Sequence, residues 1–264
     1  MSTSRGGPSQ HRAGASTARR LYESAGAAPE AFMLYTFPLA SDEPQPTSSS
    51  RIICIEGPSA AGKTTLAAEL ARAAGAMVVP ELDAAEAPPV PESTPWFVQR
   101  SAAQWGRARA LAARASLVVL DGDPFKGLWY NWVYAAEGWP GVDVLAPLYR
   151  AQLARSTLAF PDLYVVLGAT ESQLRERRAG DPARTRRNFE QHLRLVAPQR
   201  RYFAALAAVD PVRVLPLDTS APDTMVGTVL AALGRLPAGP PDSDRLLHHM
   251  TTWVGTHTPA GQSS

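Results

Sequence analysis

Lysine is nearly missing from this chain of 264 residues: among its 26 Lys and Arg, only Lys63 and Lys126 are lysine. A chain that otherwise spends arginine has kept lysine at two places, where a compact point charge serves differently from a guanidinium fork. Cysteine is scarcer still. Cys54 stands alone, which excludes an intrachain disulfide and fits a reducing cytosol; we read it as a small core residue. No apolar run approaches the roughly 20 residues that a spanning helix needs, so a cytoplasmic protein with no membrane partner is expected. The formal net charge is only +2, which gives no reason to expect nucleic acid as the main partner. The 5 His show no metal-ligand spacing, and His248-His249 reads as a surface pair. With lysine confined to 63 and 126, an Asn-Lys-x-Asp guanine-recognition motif is ruled out, and a GTP-dependent switch with it.

What is present begins with Arg51-Ile52-Ile53-Cys54-Ile55-Glu56, a short apolar and β-branched run that predicts a buried parallel strand. It leads into Gly57-Pro58-Ser59-Ala60-Ala61-Gly62-Lys63-Thr64-Thr65, which fits the phosphate-binding pattern G-x-x-x-x-G-K-[ST], and then into an Ala-rich helix over Leu66 to Ala74. Glycines let such a loop turn its N–H groups inward toward phosphate oxygens, and the helix adds its positive N-terminal end. The expected nucleotide contacts are therefore Gly57, Ser59, Ala60, Ala61, Gly62, Lys63, Thr64 and Thr65. ATP is the implied donor, with Lys63 reaching its β/γ-phosphates and Thr64 holding Mg2+.

Strand and helix patterns then alternate. Strands are predicted at Ala76 to Pro80, Leu117 to Leu120, Leu163 to Leu167 and Val212 to Leu215. Helices are predicted at Trp96 to Ala115, Val142 to Leu158, from Glu171 to a break at Gly180-Asp181-Pro182, Asn188 to Ala208, and Thr224 to Leu233. Five strands separated by helices predict a three-layer α/β/α fold of the P-loop NTPase kind, with a five-stranded parallel sheet. Residues 1–50 read as a flexible N-terminal segment, with an apolar patch at Ala31 to Ala40; 51–236 form the expected domain, and 237–264 a tail with one short helix at Asp244 to Trp253.

Ligands of open parallel sheets gather beyond the carboxyl ends of the strands. Glu81 follows the second strand there, and Asp121 and Asp123 follow the third. Phosphoryl transfer to a hydroxyl needs a metal held near the phosphates and a carboxylate to take the hydroxyl proton; we assign Asp121 to the metal and as a candidate base beside Glu81. Arg175, Arg177, Arg178, Arg184, Arg186 and Arg187 flank the Gly180 break and predict an arginine-rich lid, with Arg178 and Arg184 taken as its acting residues. Between Phe125 and Trp139 lies an aromatic insert that either stacks on a planar substrate, with Trp129 foremost, or forms the core of a helical cover. Lys126 and Asp123 are read with Trp129 as acceptor contacts.

Val78-Val79-Pro80-Glu81 resembles the stretch of deoxyribonucleoside kinases that delivers the carboxylate deprotonating the sugar hydroxyl, and Phe97-Val98-Gln99 resembles their base-recognising helix. In order of elements the resemblance runs from about Arg51 to Ala208 and takes in the thymidylate kinase-like group. It implies Glu81 as general base and Gln99 as a contact to the base edge. That family usually ends its third strand with Glu-Arg-Ser or Asp-Arg-Ser, where this chain has Asp121-Gly122-Asp123. The expectation is thus an ATP- and Mg2+-dependent phosphotransferase with a small-molecule acceptor, a nucleoside or nucleoside-like metabolite, and a homodimer is allowed for. The alternatives are an antibiotic-modifying self-resistance kinase and a non-catalytic ATP-binding regulator.

Overall fold

The computed structural model describes residues 50–81, 94–180, 189–219 and 221–259. The apolar patch at 31–40, the proline-rich stretch after Glu81, and Arg184, Arg186 and Arg187 lie outside the described residues.

Five strands, β1 (Arg51–Glu56), β2 (Met77–Val79), β3 (Leu117–Asp121), β4 (Leu163–Gly168) and β5 (Val214–Asp218), form one sheet in the order β2-β3-β1-β4-β5. Every pairing is parallel. The alternation of side chains along each strand divides the core between the two faces. Ile52, Cys54, Val118 and Leu120 go to one apolar cluster, while Ile53, Ile55, Leu117 and Val119 go to the other. Helices cover both faces. Helix α1 (Lys63–Ala74) brings Leu66 and Leu70 to the second cluster. The first cluster takes side chains from α2 (Thr94–Ala112), α3 (Lys126–Tyr134) and α4 (Val142–Ala154). Next in the chain come α5 (Glu171–Ala179), α6 (Phe189–Leu193), α7 (Val196–Val209) and α8 (Pro222–Leu233). Of these, α7 joins the first cluster through Tyr202, Phe203 and Leu206, and α8 the second through Met225, Val226 and Val229. The architecture is the three-layer α/β/α P-loop fold, and Cys54 is a core residue with no exposed surface. Among the described residues no helix is long and apolar enough to cross a membrane.

Three elements depart from the expectation, each for a physical reason. The single helix read from Asn188 to Ala208 is divided into α6 and α7, because Pro198 offers no N–H and its ring excludes the carbonyl of Arg194 from a continuing helix. The fifth strand starts and ends later than read. Pro211–Arg213 form a 3-10 turn in which the buried Arg213 meets the Asp162 carbonyl at 3.2 Å, and β5 then pairs with β4 as far as Gly168 and Asp218. Pro216 is tolerated because β5 is an edge strand. The third departure is larger. The segment after Pro237, read as a tail, is tied down at its start by Arg51, which donates to the Pro237 carbonyl at 3.0 Å, and by Arg213, which donates to Gly239 at 3.0 Å. It then forms α9 (Ser243–Thr256), capped by the Asp242 side chain, and buries Leu246, Leu247, Met250 and Val254 in the first cluster. Trp253 of this helix meets Trp132 of α3 with ring centroids 5.0 Å apart.

If α9 belongs to the core, Met250→Ala should lower unfolding stability by about 2–5 kcal/mol, whereas His248→Ala on the exposed side of the same helix should stay within about 0.5 kcal/mol. Urea unfolding of the two variants measures both; equal, small effects would place α9 outside the core.

Candidate active site

The phosphate loop crosses from the end of β1 to the start of α1, at the carboxyl edge of the sheet. Gly57 is obligatory on packing grounds, since a Cβ there would stand 2.8 Å from the carbonyl oxygen of Leu167 at the end of β4. Ala60 holds φ at 70°, a left-handed conformation that costs a non-glycine residue energy and that clusters at ligand-binding loops. The loop closes through Ala61 N–H donating to the Pro58 carbonyl at 3.1 Å. Lys63 curls back over it, with Nζ donating to the carbonyls of Gly57 at 2.7 Å and Pro58 at 3.3 Å. Ser59, Gly62, Thr64 and Thr65 are all at least partly accessible along this turn.

The strand-end acids occupy the same edge. Thr64 donates from Oγ1 to Oδ2 of Asp121 at 3.0 Å, while Oδ1 of Asp121 is buried and has no hydrogen-bond partner among the described residues. Burial, with the charge of nearby Glu81 adding to it, pushes the Asp121 carboxyl up. Glu81 shows the opposite shift. Burial alone would raise its carboxyl, but Lys126 and Lys63 outweigh it and hold the group below the usual carboxylate range. The Lys126 ammonium donates directly to Oε1 of Glu81 and lies 3.6 Å from Oε2 of Glu56. Although burial disfavours its charge, Glu56 and Glu81 keep Lys126 protonated well above the ordinary lysine value. Gly122 makes room for this pair, because a Cβ there would stand 3.2 Å from Cδ and Oε1 of Glu81.

Asp123 and Trp129 are corrected from acceptor contacts to core residues. Asp123 is 4% exposed and Trp129 2%. Oδ1 of Asp123 accepts from Phe125 N–H and Tyr164 O–H, each at 2.9 Å, and Oδ2 accepts the Trp129 indole N–H at 3.0 Å. Every polar atom that could face a ligand is already engaged. Burial and the neighbouring Glu56 push the Asp123 carboxyl up to about 7, against the pull of those three donors. The rest of the aromatic insert follows the same pattern: α3 buries Trp132 and Tyr134 as well, and Phe125 stacks on Phe160 with centroids 4.0 Å apart. The insert is core.

Other expectations shift by one residue or one helix face. Arg178 of α5 donates to Glu190 at 3.0 Å and lies over the Phe189 ring, so its guanidinium is spent outside the phosphate loop. Its neighbour Arg177 reaches the loop instead, donating to the Ala61 carbonyl at 3.3 Å and to Thr219 Oγ1 at 2.8 Å. Arg177 is the one arginine of α5 that is half-buried rather than exposed, and position on the helix was the signal for it. Gln99 is exposed on α2, and the glutamine that touches the end of β2 is Gln104, donating to the Pro80 carbonyl at 3.1 Å. Five residues of helix turn the side chain by about 140°, so the two glutamines cannot share a face.

The sequence reading missed Glu56 altogether. It is 1% exposed; Oε1 accepts from Gly57 N–H at 2.9 Å and Gln199 Nε2 at 3.2 Å, and Oε2 accepts from Asp123 N–H at 2.8 Å. An acid closing an otherwise apolar strand was its visible sign. His192 of α6 was missed too. Burial, together with Lys126 and Lys63, holds its imidazole below the usual histidine value.

No protein-family model matches the chain, and no curated protein matches it in sequence. Solved structures do. The NadR protein in complex with NR matches at 20% identity and a TM-score of 0.48, over 72% of this chain and 53% of that one. The chain thus spans about half the length of that protein. Deoxyadenosine kinase from M. mycoides with bound dCTP matches at 16% identity and a TM-score of 0.45, over 70% of this chain and 100% of that one. A gluconokinase from Sinorhizobium meliloti 1021 matches at 16% identity and a TM-score of 0.40, over 79% and 98%.

Proposed function

We propose that the chain is an ATP-dependent phosphotransferase that moves the γ-phosphate to a hydroxyl of a small molecule, with a nucleoside or nucleoside-like metabolite as the acceptor. The observation that carries this reading is the meeting of the Thr64 hydroxyl with Asp121 at 3.0 Å, one oxygen of that carboxylate being buried and unpartnered, beside a second strand-end carboxylate, Glu81. A switch needs the first feature only; a transferase needs both.

The residues at the loop fit Mg2+. A hydroxyl and a carboxylate side by side, with one carboxylate oxygen still unsatisfied, suit an ion that keeps most of its water and takes few protein ligands. Thr64 and Asp121 would hold it, and bound there it would neutralise charge on the β- and γ-phosphates. The loop N–H groups and the α1 N-terminus bind the phosphates, and Lys63, on a flexible stem, exchanges its carbonyl contacts for phosphate oxygens. Arg177 is the described guanidinium best placed to meet charge spreading over the transferring oxygens. Glu81 accepts the proton of the attacking hydroxyl, and its lowered titration keeps it ionised at neutral pH. Because the charge of Lys126 is shared between two carboxylates, an uncharged acceptor fits beside Glu81 better than a phosphorylated one.

Lys63→Ala should cut turnover by at least ~10²-fold with the unfolding midpoint unchanged. ADP release across a panel of nucleosides, nucleotides and aminoglycoside or phenicol alcohols supplies the assay, and normal phosphorylation by this variant overturns the mechanism. With the acceptor so found, Glu81→Gln should lower kcat by ~10²–10⁴-fold while sparing ATP affinity, and Asp121→Asn should weaken the Mg2+ dependence. Were no acceptor to raise ADP release above the basal rate, the reading would pass to an ATP-binding regulator.

A further inference from the structure

We propose that Lys126 is the positioning residue for Glu81: seated on the buried Glu56, its ammonium holds the Glu81 carboxylate over Gly122 at the edge that carries the phosphate loop. The inference rests on the reading of Glu81 as the base and adds the device that sets it.

Three observations converge on Lys126. Its ammonium stands between carboxylates delivered by two strands, hydrogen-bonded to Glu81 and 3.6 Å from Glu56. One side of this bridge is rigid, because Glu56 is 1% exposed and held by donors from Gly57, Asp123 and Gln199. The stem is rigid as well. Lys126 N–H donates to the Asp123 carbonyl at 3.0 Å, and one turn further along α3 the Trp129 indole locks onto the Asp123 carboxylate at 3.0 Å. Asp123 and Trp129, buried and bonded to each other, thus anchor the helix end that presents Lys126. The Glu81 carboxylate fills the space where any side chain at position 122 would begin. A guanidinium fork is wider than an ammonium and prefers one carboxylate in two-point contact, which accounts for lysine here in a chain of arginines.

Two consequences separate this role from a direct contact to the acceptor. Burial raises the Glu81 titration while Lys126, Lys63 and His192 lower it, with the Asp121 carboxylate also nearby; removing the Lys126 ammonium takes away the foremost lowering charge, so the acidic limb of the rate profile moves to higher pH, where the base is ionised. Affinity for the acceptor is not the quantity that changes. Removal need not unfold the protein, since Glu56 keeps its three hydrogen-bond donors.

The direct test is carboxyl-carbon NMR of protein labelled at glutamate, with Glu81→Gln identifying the signal. In the wild type, Glu81 should titrate below the ordinary glutamate value of about 4.3. In Lys126→Met it should rise by about 1–3 pH units, and Lys126→Arg should restore part of the difference. Because the chain contains only Lys63 and Lys126, lysine ammonium labelling yields two signals, and one of them should move as Glu81 titrates. With an acceptor in hand, the acidic limb of kcat/KM should move by the same amount in Lys126→Met. A wild-type Glu81 that titrates at or above the ordinary value overturns the pairing without any variant, as does a titration unmoved by Lys126→Met. A change confined to the KM for the acceptor overturns it in favour of direct contact. Full turnover by Glu81→Gln would instead sink the assignment of the base while leaving the NMR result standing, so the two failures are distinguishable.

Discussion

A carboxylate buried at the last residue of β1 organises the whole edge of this sheet. The Glu56 side chain could not be buried without donors, since an unpaired buried carboxylate costs several kcal/mol. It obtains them from the first N–H of the phosphate loop, from the N–H of Asp123 beyond β3, and from Gln199 on α7, with the Lys126 ammonium nearby. Those partners belong to separate stretches of the chain. Satisfying one charge therefore fixes the mouth of the phosphate loop, the β3–α3 connection and the covering helix relative to one another.

From that constraint the loop and the strand-end acids take their places. The phosphate loop needs little beyond local geometry: a tight loop packed on Leu167, a left-handed Ala60, and the start of α1. The strand-end acids beside it are held by charge. Lys126 links Glu56 to Glu81, and Gly122 leaves the volume in which the carboxylate sits. Close by in the chain, Asp123 collects donors from Phe125, Trp129 and Tyr164 and draws an aromatic stretch into the core. Chemistry and packing share residues here, which is why neighbouring acids, Asp121 and Asp123, do different work only two positions apart.

The phosphate loop, its flanking strand and helix, the parallel α/β class and the strand-end placement of Glu81 and Asp121 were legible in the sequence. Each depends on a short local pattern, apolar periodicity or a fixed spacing, that survives without knowledge of the rest of the chain. The misreadings share one cause. Asp123 and Trp129 looked like ligand contacts because polar and aromatic groups near an active edge suit a substrate, but each satisfied the other's polar atom in the core. Arg178 and Arg177 are adjacent in sequence, and only the direction of α5 sends one to Glu190 and the other to Ala61. Residues after Pro237 looked like a tail because their composition is loop-like on both sides of a short helix, yet α9 completes an apolar cluster whose other walls come from α3, α4 and α7.

By itself, then, the amino-acid order placed the phosphate-loop pattern between β1 and α1 and on one edge of the sheet, because that pattern is a property of contiguous backbone. Only the tertiary structure decided which charges face each other there. Glu56, Glu81 and Lys126 lie far apart in the chain and meet because parallel strands carry their carboxyl ends to one edge, where the start of α3 brings the Lys126 ammonium between the two carboxylates. The scarcity of lysine was visible from the start; the reason one of the two stands at position 126 appears only in the fold.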